Sequence, residues 1–528
     1  MNMRVLISDS VDRVCIDYLR DEQCDVQNSP DISPQELKQH IGGFDALVVR
    51  SGTRVTSDII EAGSRLKVIG RAGTGVDNID VEAATRRGVL VLNTPGGNTV
   101  SAAEHTVSLL LSLARNIPQA HASLIAGSWE RKQFVGTEVE GKTLGIVGLG
   151  KIGREVAARC RGLGMVVIGY DTVLAPAAAS KEHIESVGLG EIFRRSDFIT
   201  LHTPLNEETR GIINAKTLSS CKRGVRVINC ARGGIVDEAA LLDGLDSGQV
   251  GGAALDVFQE EPPKANPLLG HPRVVVTPHL GASTEEAQEK VALQIAHAVA
   301  DALHGRSFTG VVNSSVMYMT LHEEVRPFLL LAERLGSLVA QLTTGTLRGV
   351  TVGAAGDVPE SSLELIKAGV LKGILSETST DAVNFVSAPL LAAEKGLAVS
   401  EERGEPGGNY TNALRVRYMT GRTSGELEGS VVGRSQIRFT MMDGYRFEVE
   451  PEGHLLIYKN DDKPGILASV GGILARYEVN IAGVSLGRSR EGGTALTLMN
   501  LDSSIPSKGM EELSHREDVT NLKLVKLD

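Results

Sequence analysis

The chain has 528 residues, 42% of them hydrophobic, too many for one compact core, so several domains of ~150 residues are expected. Its 54 lysines and arginines against 65 aspartates and glutamates give a net charge of −11, which argues against general attraction to nucleic acid or to an acidic membrane surface. Five dispersed cysteines (Cys15, Cys24, Cys160, Cys221 and Cys230) form neither a CxxC pair nor a metal-ligand pattern with histidine, so a reducing, cytoplasmic setting and no metal are expected.

The opening stretch MNMRVLISDSVDRVCIDYLR has no sustained apolar segment before Asp9 and Asp12, so no secretory signal is expected, and no later run is long enough for a membrane span. Its strand-like run Arg4 to Ser8 is followed by Asp45 to Arg50, Leu66 to Arg71 and Val89 to Asn93, separated by helical patterns or turns. Strand alternating with helix predicts a parallel sheet. Ser101-Ala102-Ala103-Glu104 reads as a capping box that opens a crossover helix. A second series follows: Thr143 to Gly148, Met165 to Asp171, Phe198 to His202, Val225 to Cys230, Gly252 to Val257 and Arg273 to Pro278. Strands bridged mostly by helix-length segments predict a doubly wound sheet. A second capping box, Ser283-Thr284-Glu285-Glu286, opens a helix over Ala287 to Leu303. If this helix returns the chain to the first sheet, the second domain is inserted in the first and a cleft lies between them.

Beyond about residue 315 the pattern changes to helices near Glu323 to Leu342 and Ser361 to Leu375. Antiparallel hairpins over Leu414 to Glu450 follow, broken at Gly421, Gly425, Gly433 and Gly444. No catalytic constellation is visible there. From His454 a strand, turn, helix and strand order reads as a small separate module.

The turn Gly148-Leu149-Gly150-Lys151-Ile152-Gly153 has a buried-strand run before it and the helix-compatible stretch Arg154 to Arg161 after it, the context a dinucleotide turn requires. Gly148 permits the tight turn, Gly150 admits a pyrophosphate, and Gly153 lets helix and strand pack closely, while the helix N-terminus offers free N–H groups. Asp171 lies 171 − 153 = 18 residues further on, near the spacing at which an acid meets the adenosine ribose. Its charge repels a 2′-phosphate, and Thr172, Val173 and Leu174 supply no arginine, so the expected cofactor is NAD. Gly145 to Lys151 also fits the spacing of a nucleoside-triphosphate loop, but Ile152 stands where a magnesium-binding serine or threonine is required.

Three polar residues fall at or just past strand ends in the second series, where ligands bind in open α/β sheets. Arg232 precedes Gly233-Gly234 and suits a carboxylate in two-point contact. His279 can accept a hydroxyl proton, and Glu261 can orient its imidazole and stabilise the charged form. Each is ordinary alone; together, downstream of a dinucleotide turn, they form a reaction centre. For a second anionic group, Arg50 and Arg71 stand at strand ends of the first series. Arg50-Ser51-Gly52 and Gly73-Thr74-Gly75 add free backbone N–H groups. Arg131, beside Lys132 and the lone Trp129, is a candidate to reach a neighbouring subunit.

GLGKIG, NCARGGIVDE (Asn229 to Glu238), LDVFQEEPP (Leu255 to Pro263) and PHLGAST (Pro278 to Thr284) together resemble the D-isomer-specific 2-hydroxyacid dehydrogenases. VVRSGTRV (Val48 to Val55), GRAGTGVDNID (Gly70 to Asp80) and SAAEHT (Ser101 to Thr106) extend the resemblance over about the first 315 residues. It implies an α/β fold with two doubly wound parallel-sheet domains: a Rossmann-type NAD domain, residues 98-285, inserted in a flavodoxin-like substrate domain, residues 1-97 and 286-315. An α+β intervening domain, 316-452, and a ferredoxin-like ACT domain, 453-528, complete it. The resemblance assigns Arg232 to the substrate carboxylate and carbonyl, His279 to proton transfer and Glu261 to its support. It further implies cofactor contacts by Thr74, Lys151, Ile152, Asp171, Thr203, Cys230, Ala231, Arg232, Asp256, His279 and Ala282. The implied reaction is NAD-dependent oxidation of a phosphorylated hydroxyacid, D-3-phosphoglycerate, on the way to serine.

The tail resembles an ACT domain through Asn460-Asp461-Asp462-Lys463-Pro464-Gly465-Ile466-Leu467 and Tyr477-Glu478-Val479-Asn480-Ile481. That implies serine as effector, at Asp462 and Asn480, and a homo-oligomer, a tetramer foremost. Two alternatives stand beside this reading: a dehydrogenase of another D-2-hydroxyacid, and an NAD-sensing binding protein on the same fold.

Overall fold

The computed structural model describes residues 2–314, 324–359, 362–379, 383–405, 410–421 and 423–527. The expected helix starts at Glu323 and Ser361 lie outside these residues; the helices themselves run Arg326–Leu342 and Leu363–Ser376.

Strands β1 (Arg4–Ile7), β2 (Asp25–Asn28), β3 (Ala46–Val49), β4 (Val68–Arg71) and β5 (Leu90–Leu92) form an all-parallel sheet in the flavodoxin-like order β2-β1-β3-β4-β5. Ala46–Val49 is buried throughout because helices cover both faces, and this is why it reads as a continuous apolar run. The edge strand β2, Asp-Val-Gln-Asn, is mostly exposed and gives no such signal.

The second sheet is also wholly parallel. It comprises β6 (Thr143–Val147), β7 (Val166–Tyr170), β8 (Glu185–Ser186), β9 (Phe198–Leu201), β10 (Val225–Asn229), β11 (Val250–Leu255) and β12 (Val274–Val276), in the order β12-β11-β10-β9-β6-β7-β8. The six expected strands are present, with the two-residue β8 added at the edge. The order reverses between β6 and β9, so the crevice for a ligand opens above the C-terminal ends of those strands.

Two helices join the sheets. Helix Thr99–Arg115 starts earlier than expected, after Asn98, without a side-chain cap. Ser101 is therefore not its cap: it is buried within the first turn and donates to the Gly281 carbonyl at 2.9 Å. Helix Glu285–His304 is capped by Thr284, which accepts from the Ala287 N–H, so the cap sits one residue beyond Ser283. Its Val291, Ile295 and Val299 enter a core with Val5, Val48, Val68 and Leu92. Val311 then bridges to Leu92, so the chain does return to the first sheet after building the second.

In the following region β13 (Leu347–Gly356), β14 (Ala398–Gly404), β15 (Asn412–Thr420), β16 (Ser424–Val432), β17 (Gln436–Met442) and β18 (Tyr445–Val449) form one mixed sheet. Only β13 and β14 pair in parallel; the expected hairpins are the antiparallel β15 to β18. Gly433 and Gly444 sit at turns with φ of 64° and 84°. Gly425 does not: it lies inside β16, where the Tyr418 ring rests on the bare backbone. The final sheet, β20-β21-β19-β22, is antiparallel, built from β19 (Gly453–Asp461), β20 (Ile481–Arg488), β21 (Thr494–Leu501) and β22 (Val519–Leu527), with helices Ile466–Arg476 and Ser507–Ser514. This is the ferredoxin-like βαββαβ order.

Candidate active site

The dinucleotide turn is built as its glycines require. Gly148 has φ 97° and lies under the His202 carbonyl, 2.6 Å from where a Cβ would stand. At Gly153 a side chain would collide with the Gly148 carbonyl, so helix Lys151–Gly162 packs directly on the strand before it. Gly150, by contrast, has nothing within 4 Å of its Cβ position. It is the first residue before the helix, and the open space above it is the cradle a side chain would fill. Thr203 stands over the same turn with its Oγ1 buried and unpartnered, a polar atom that wants a ligand. Lys151 and Ile152 open the helix; Ile152 packs into the core beneath, so only Lys151 offers its side chain outward.

Asp171 follows β7 and gathers its own loop. Its carboxylate accepts from Leu149 N–H at 2.7 Å and from Val173 and Leu174 N–H at 2.8 Å each. Burial pushes its pKa up, but these three bonds, aided by Arg154, outweigh it and hold the carboxyl below its usual range. Asp171 is thus a fixed anion beside the turn. Cys230 and Ala231 follow β10 at the crevice, and burial pushes the Cys230 thiol up to about 12, so it stands there as a neutral group.

His279 and Glu261 meet as expected. The imidazole Nδ1 lies 2.7 Å from Glu261 Oε2, with the ring about half exposed. The Glu261 bond raises the His279 pKa against the opposing effect of burial. Glu261 shifts the other way: burial raises it, but the His279 bond and the Phe258 N–H outweigh that and lower it. Both shifts favour a charged pair once the ring is protonated.

Asp256, expected to touch cofactor, is wholly buried in this chain. Its Oδ1 accepts from His105 Nε2 at 3.1 Å, Thr277 Oγ1 at 2.5 Å and Leu280 N–H at 2.7 Å; its Oδ2 accepts from Gly281 N–H at 2.9 Å. Together with the His279 N–H, which donates to the Asp256 carbonyl at 2.9 Å, these bonds fold the loop into a nest around one residue. They hold His279 at φ 55°, a conformation costly for a residue with a Cβ. Asp256 and His105 were not read as loop-positioning residues in the sequence, because 151 positions separate them.

The first domain supplies the cationic side of the cleft. Arg71 donates through Nε to Asn78 Oδ1 at 3.1 Å; burial, then the nearby Arg232 guanidinium, lower its pKa. Arg232 reaches across from the second domain to Asp77, Nε to Oδ2 at 3.1 Å, and donates through Nη1 to the Ala231 carbonyl at 2.7 Å. Arg50 also stands near Arg71 and donates to the Ser10 carbonyl at 3.3 Å. Ser51 is exposed beside it, and Gly73 and Thr74 follow β4, with Thr74 Oγ1 donating to Asn98 at 2.9 Å. Ala282 follows Gly281 at the rim. Arg131 is elsewhere, on the exposed turn Arg131–Phe134.

The two expected effector residues are not brought together within one chain. Asp462 follows the end of β19 that pairs with Thr494 and accepts from Gly492 N–H at 3.1 Å. Asn480 precedes β20 at the opposite end of the sheet, where it donates to Asp502 at 2.7 Å.

A dinucleotide cradle at the switch point, an imidazole–carboxylate pair and an arginine facing it define a nicotinamide-dependent dehydrogenase of 2-hydroxyacids. The comparisons agree: the family model for the D-isomer specific 2-hydroxyacid dehydrogenase NAD binding domain matches residues 107–281. The D-3-phosphoglycerate dehydrogenase intervening domain matches 324–443 and the ACT domain 454–514. A glyoxylate reductase from Paecilomyes thermophila superposes with TM-score 0.54 at 30% identity, covering 59% of this chain and 98% of its own. The D-3-phosphoglycerate dehydrogenase of Synechocystis sp. is 42% identical over 99% of this chain and 95% of its own length. That of Methanocaldococcus jannaschii is 40% identical over 99% and 100%. The chain belongs to the D-3-phosphoglycerate dehydrogenase family.

Proposed function

We propose that the chain oxidises the 2-hydroxyl of D-3-phosphoglycerate to the ketone of 3-phosphohydroxypyruvate, the first step toward serine. Bound NAD supplies the hydride acceptor. The Gly148 to Gly153 turn and the N-terminus of its helix hold the pyrophosphate, Asp171 the adenosine ribose, and Thr203 a further polar group of the cofactor. Arg232 binds the substrate carboxylate and polarises the reacting C–O bond. His279 Nε2 takes the hydroxyl proton while Nδ1 stays bonded to Glu261, which stabilises the imidazolium formed. The single observation that carries this reading is the 2.7 Å Glu261–His279 pair at the mouth of the crevice, which raises the His279 pKa, with Arg232 close enough to oppose part of that rise. Arg50, Ser51, Arg71 and Gly73 receive the phosphate on the opposite wall.

The test is NADH appearance across a panel of phosphorylated and plain D-2-hydroxyacids. D-3-phosphoglycerate is expected to be the best substrate; glycerate or lactate turned over equally well overturns the assignment. His279→Gln is expected to lower turnover roughly 10²- to 10⁴-fold while NAD still binds. Undiminished turnover removes the histidine from the chemistry, and binding without any turnover by the parent chain supports a sensing protein.

We further infer a homo-oligomer. Helix Ile117–Ile125 buries none of its residues in the single chain, and Leu124, Ile125, Trp129 and Val135 are more than half exposed around it. A second copy covers this face, placing Arg131 near a neighbour's cleft; light scattering on the parent chain and on Ile125→Glu reads it directly. A monomer in both overturns the reading. An amino-acid effector that touches both Asp462 and Asn480 likewise requires a second chain. Of the five free cysteines, Cys15, Cys24, Cys160 and Cys221 are buried.

A further inference from the structure

The cleft holds two guanidiniums that come from different domains yet are anchored by adjacent residues. Arg71, at the end of β4, gives its Nε to Asn78; Arg232, beyond β10, gives its Nε to Asp77. The loop between is shaped to the same pair. A side chain on Gly73 would strike the Arg71 guanidinium, and one on Gly75 would strike that of Arg232. Two like charges do not sit side by side without a cause: Arg232 lowers the Arg71 pKa, and Asp77 and Asp9 oppose it. Asn78 is itself rigid, because its Nδ2 donates to the Arg50 carbonyl at 2.8 Å and the Thr53 carbonyl at 2.7 Å.

We propose that Asp77 and Asn78 are positioning residues that set the spacing of Arg71 and Arg232 to match the two anionic ends of one substrate. Each anchor takes an Nε and leaves an Nη2 free for the ligand. The carboxylate end goes to Arg232 and the phosphate end to Arg71, so the inference rests on the reading of Arg232 given above. Asp77 has a second effect. It is the first domain's hold on a second-domain arginine across 155 positions of sequence, so closing the cleft and aiming Arg232 become one event. Asp77 is 72% exposed and its ion pair adds little to folding stability, so its use is in placement.

The experiment compares Asp77→Ala, Asp77→Asn, Asn78→Ala and Arg232→Ala in the full chain, with kcat and KM for the phosphorylated substrate and for plain D-glycerate. NADH binding is followed by fluorescence and folding by thermal melting. Asp77→Ala is expected to lower kcat/KM roughly tenfold or more for both substrates, with melting and NADH binding unchanged. Asp77→Asn, which keeps an acceptor for Nε, is expected to restore most of it. Asn78→Ala is expected to raise KM for the phosphorylated substrate alone. Equal loss on both substrates in Asn78→Ala, or parent-like kinetics in Asp77→Ala, overturns the proposal. If Arg232→Ala is itself harmless, the reading of the site fails instead.

Discussion

His279 carries the clearest consequence of a single side-chain contact. Its bond to Glu261 raises its pKa above the ordinary 6.5, and only the neutral ring can take a proton from the substrate. The kcat/KM for oxidation is therefore expected to rise with pH through that raised value, while the reverse reduction falls over the same interval. Glu261→Gln removes the ionic partner, so the limb is expected to move to lower pH; a limb that stays in place in a pH–rate series excludes Glu261 as its cause. Arg232, Glu261 and His279 were legible in the sequence because each follows a strand whose apolar run marks the crevice edge. The residues that hold them were not. Asp256 reaches His105 and the Gly281 loop, and Asp77 reaches Arg232, over separations of 151, 25 and 155 positions, which no local pattern encodes. Asp256→Ala leaves four donors without their acceptor, His105, Thr277, Leu280 and Gly281. A loss of about 3 kcal/mol or more in denaturant melts is expected, together with a fall in turnover as His279 leaves its left-handed conformation.

At the scale of the element, the glycine turn separates two kinds of constraint that look alike in sequence. Gly153 is required by the protein: a methyl there meets the Gly148 carbonyl, and Gly153→Ala is expected to destabilise the fold and to lose the cofactor together. Gly150 is required by the ligand, since its Cβ position is empty. Gly150→Ala is expected to melt like the parent while its NAD affinity falls roughly tenfold, the cost of one or two displaced phosphate bonds. A Gly150→Ala protein with unchanged affinity, measured by calorimetry, places the pyrophosphate elsewhere. The same contrast explains which elements could be read. Strands buried on both faces, such as Ala46–Val49 and Phe198–Leu201, announce themselves; the edge strands Asp25–Asn28 and Glu185–Ser186 pair only on one side and keep polar residues. The two expected capping boxes fared differently. Thr284 does so within a residue of the expected place, whereas Thr99–Arg115 begins uncapped and Ser101 spends its hydroxyl on the Gly281 loop.

At the scale of the whole molecule, the last two sheets are one unit that holds the first two by a small contact. The helix Arg326–Leu342 shares a core with the inner face of the final sheet, in which Leu335, Leu338 and Val339 lie with Leu455, Ile457, Leu498 and Val525. Gln341 closes the seam, donating to the Lys526 carbonyl at 2.7 Å and accepting from its N–H at 2.9 Å. The sequence marked a boundary near residue 452 because the hairpin pattern stops there, but a shared apolar face has no signature in composition. The contact with the substrate-side sheet is slighter: Asn384 donates to the Gly88 carbonyl at 2.8 Å, Glu394 pairs with Arg86 at 2.8 Å, and Val386 enters the first core. Removal of the final sheet alone, by ending the chain after Glu450, strips the cover from the long helix and exposes its leucines. That shortened protein is expected to aggregate. Ending the chain after Ser314 removes both faces of the seam at once, and enzymes whose whole chains match only 59% of this one fold without such an addition. The 1–314 protein is therefore expected to be monodisperse and to keep its NAD-dependent turnover, read by gel filtration and NADH appearance. If the protein ending after Glu450 stays soluble while the 1–314 protein precipitates, the seam does not join the last two sheets into a unit, and the Asn384 contact with Gly88 is the stronger bond of the two.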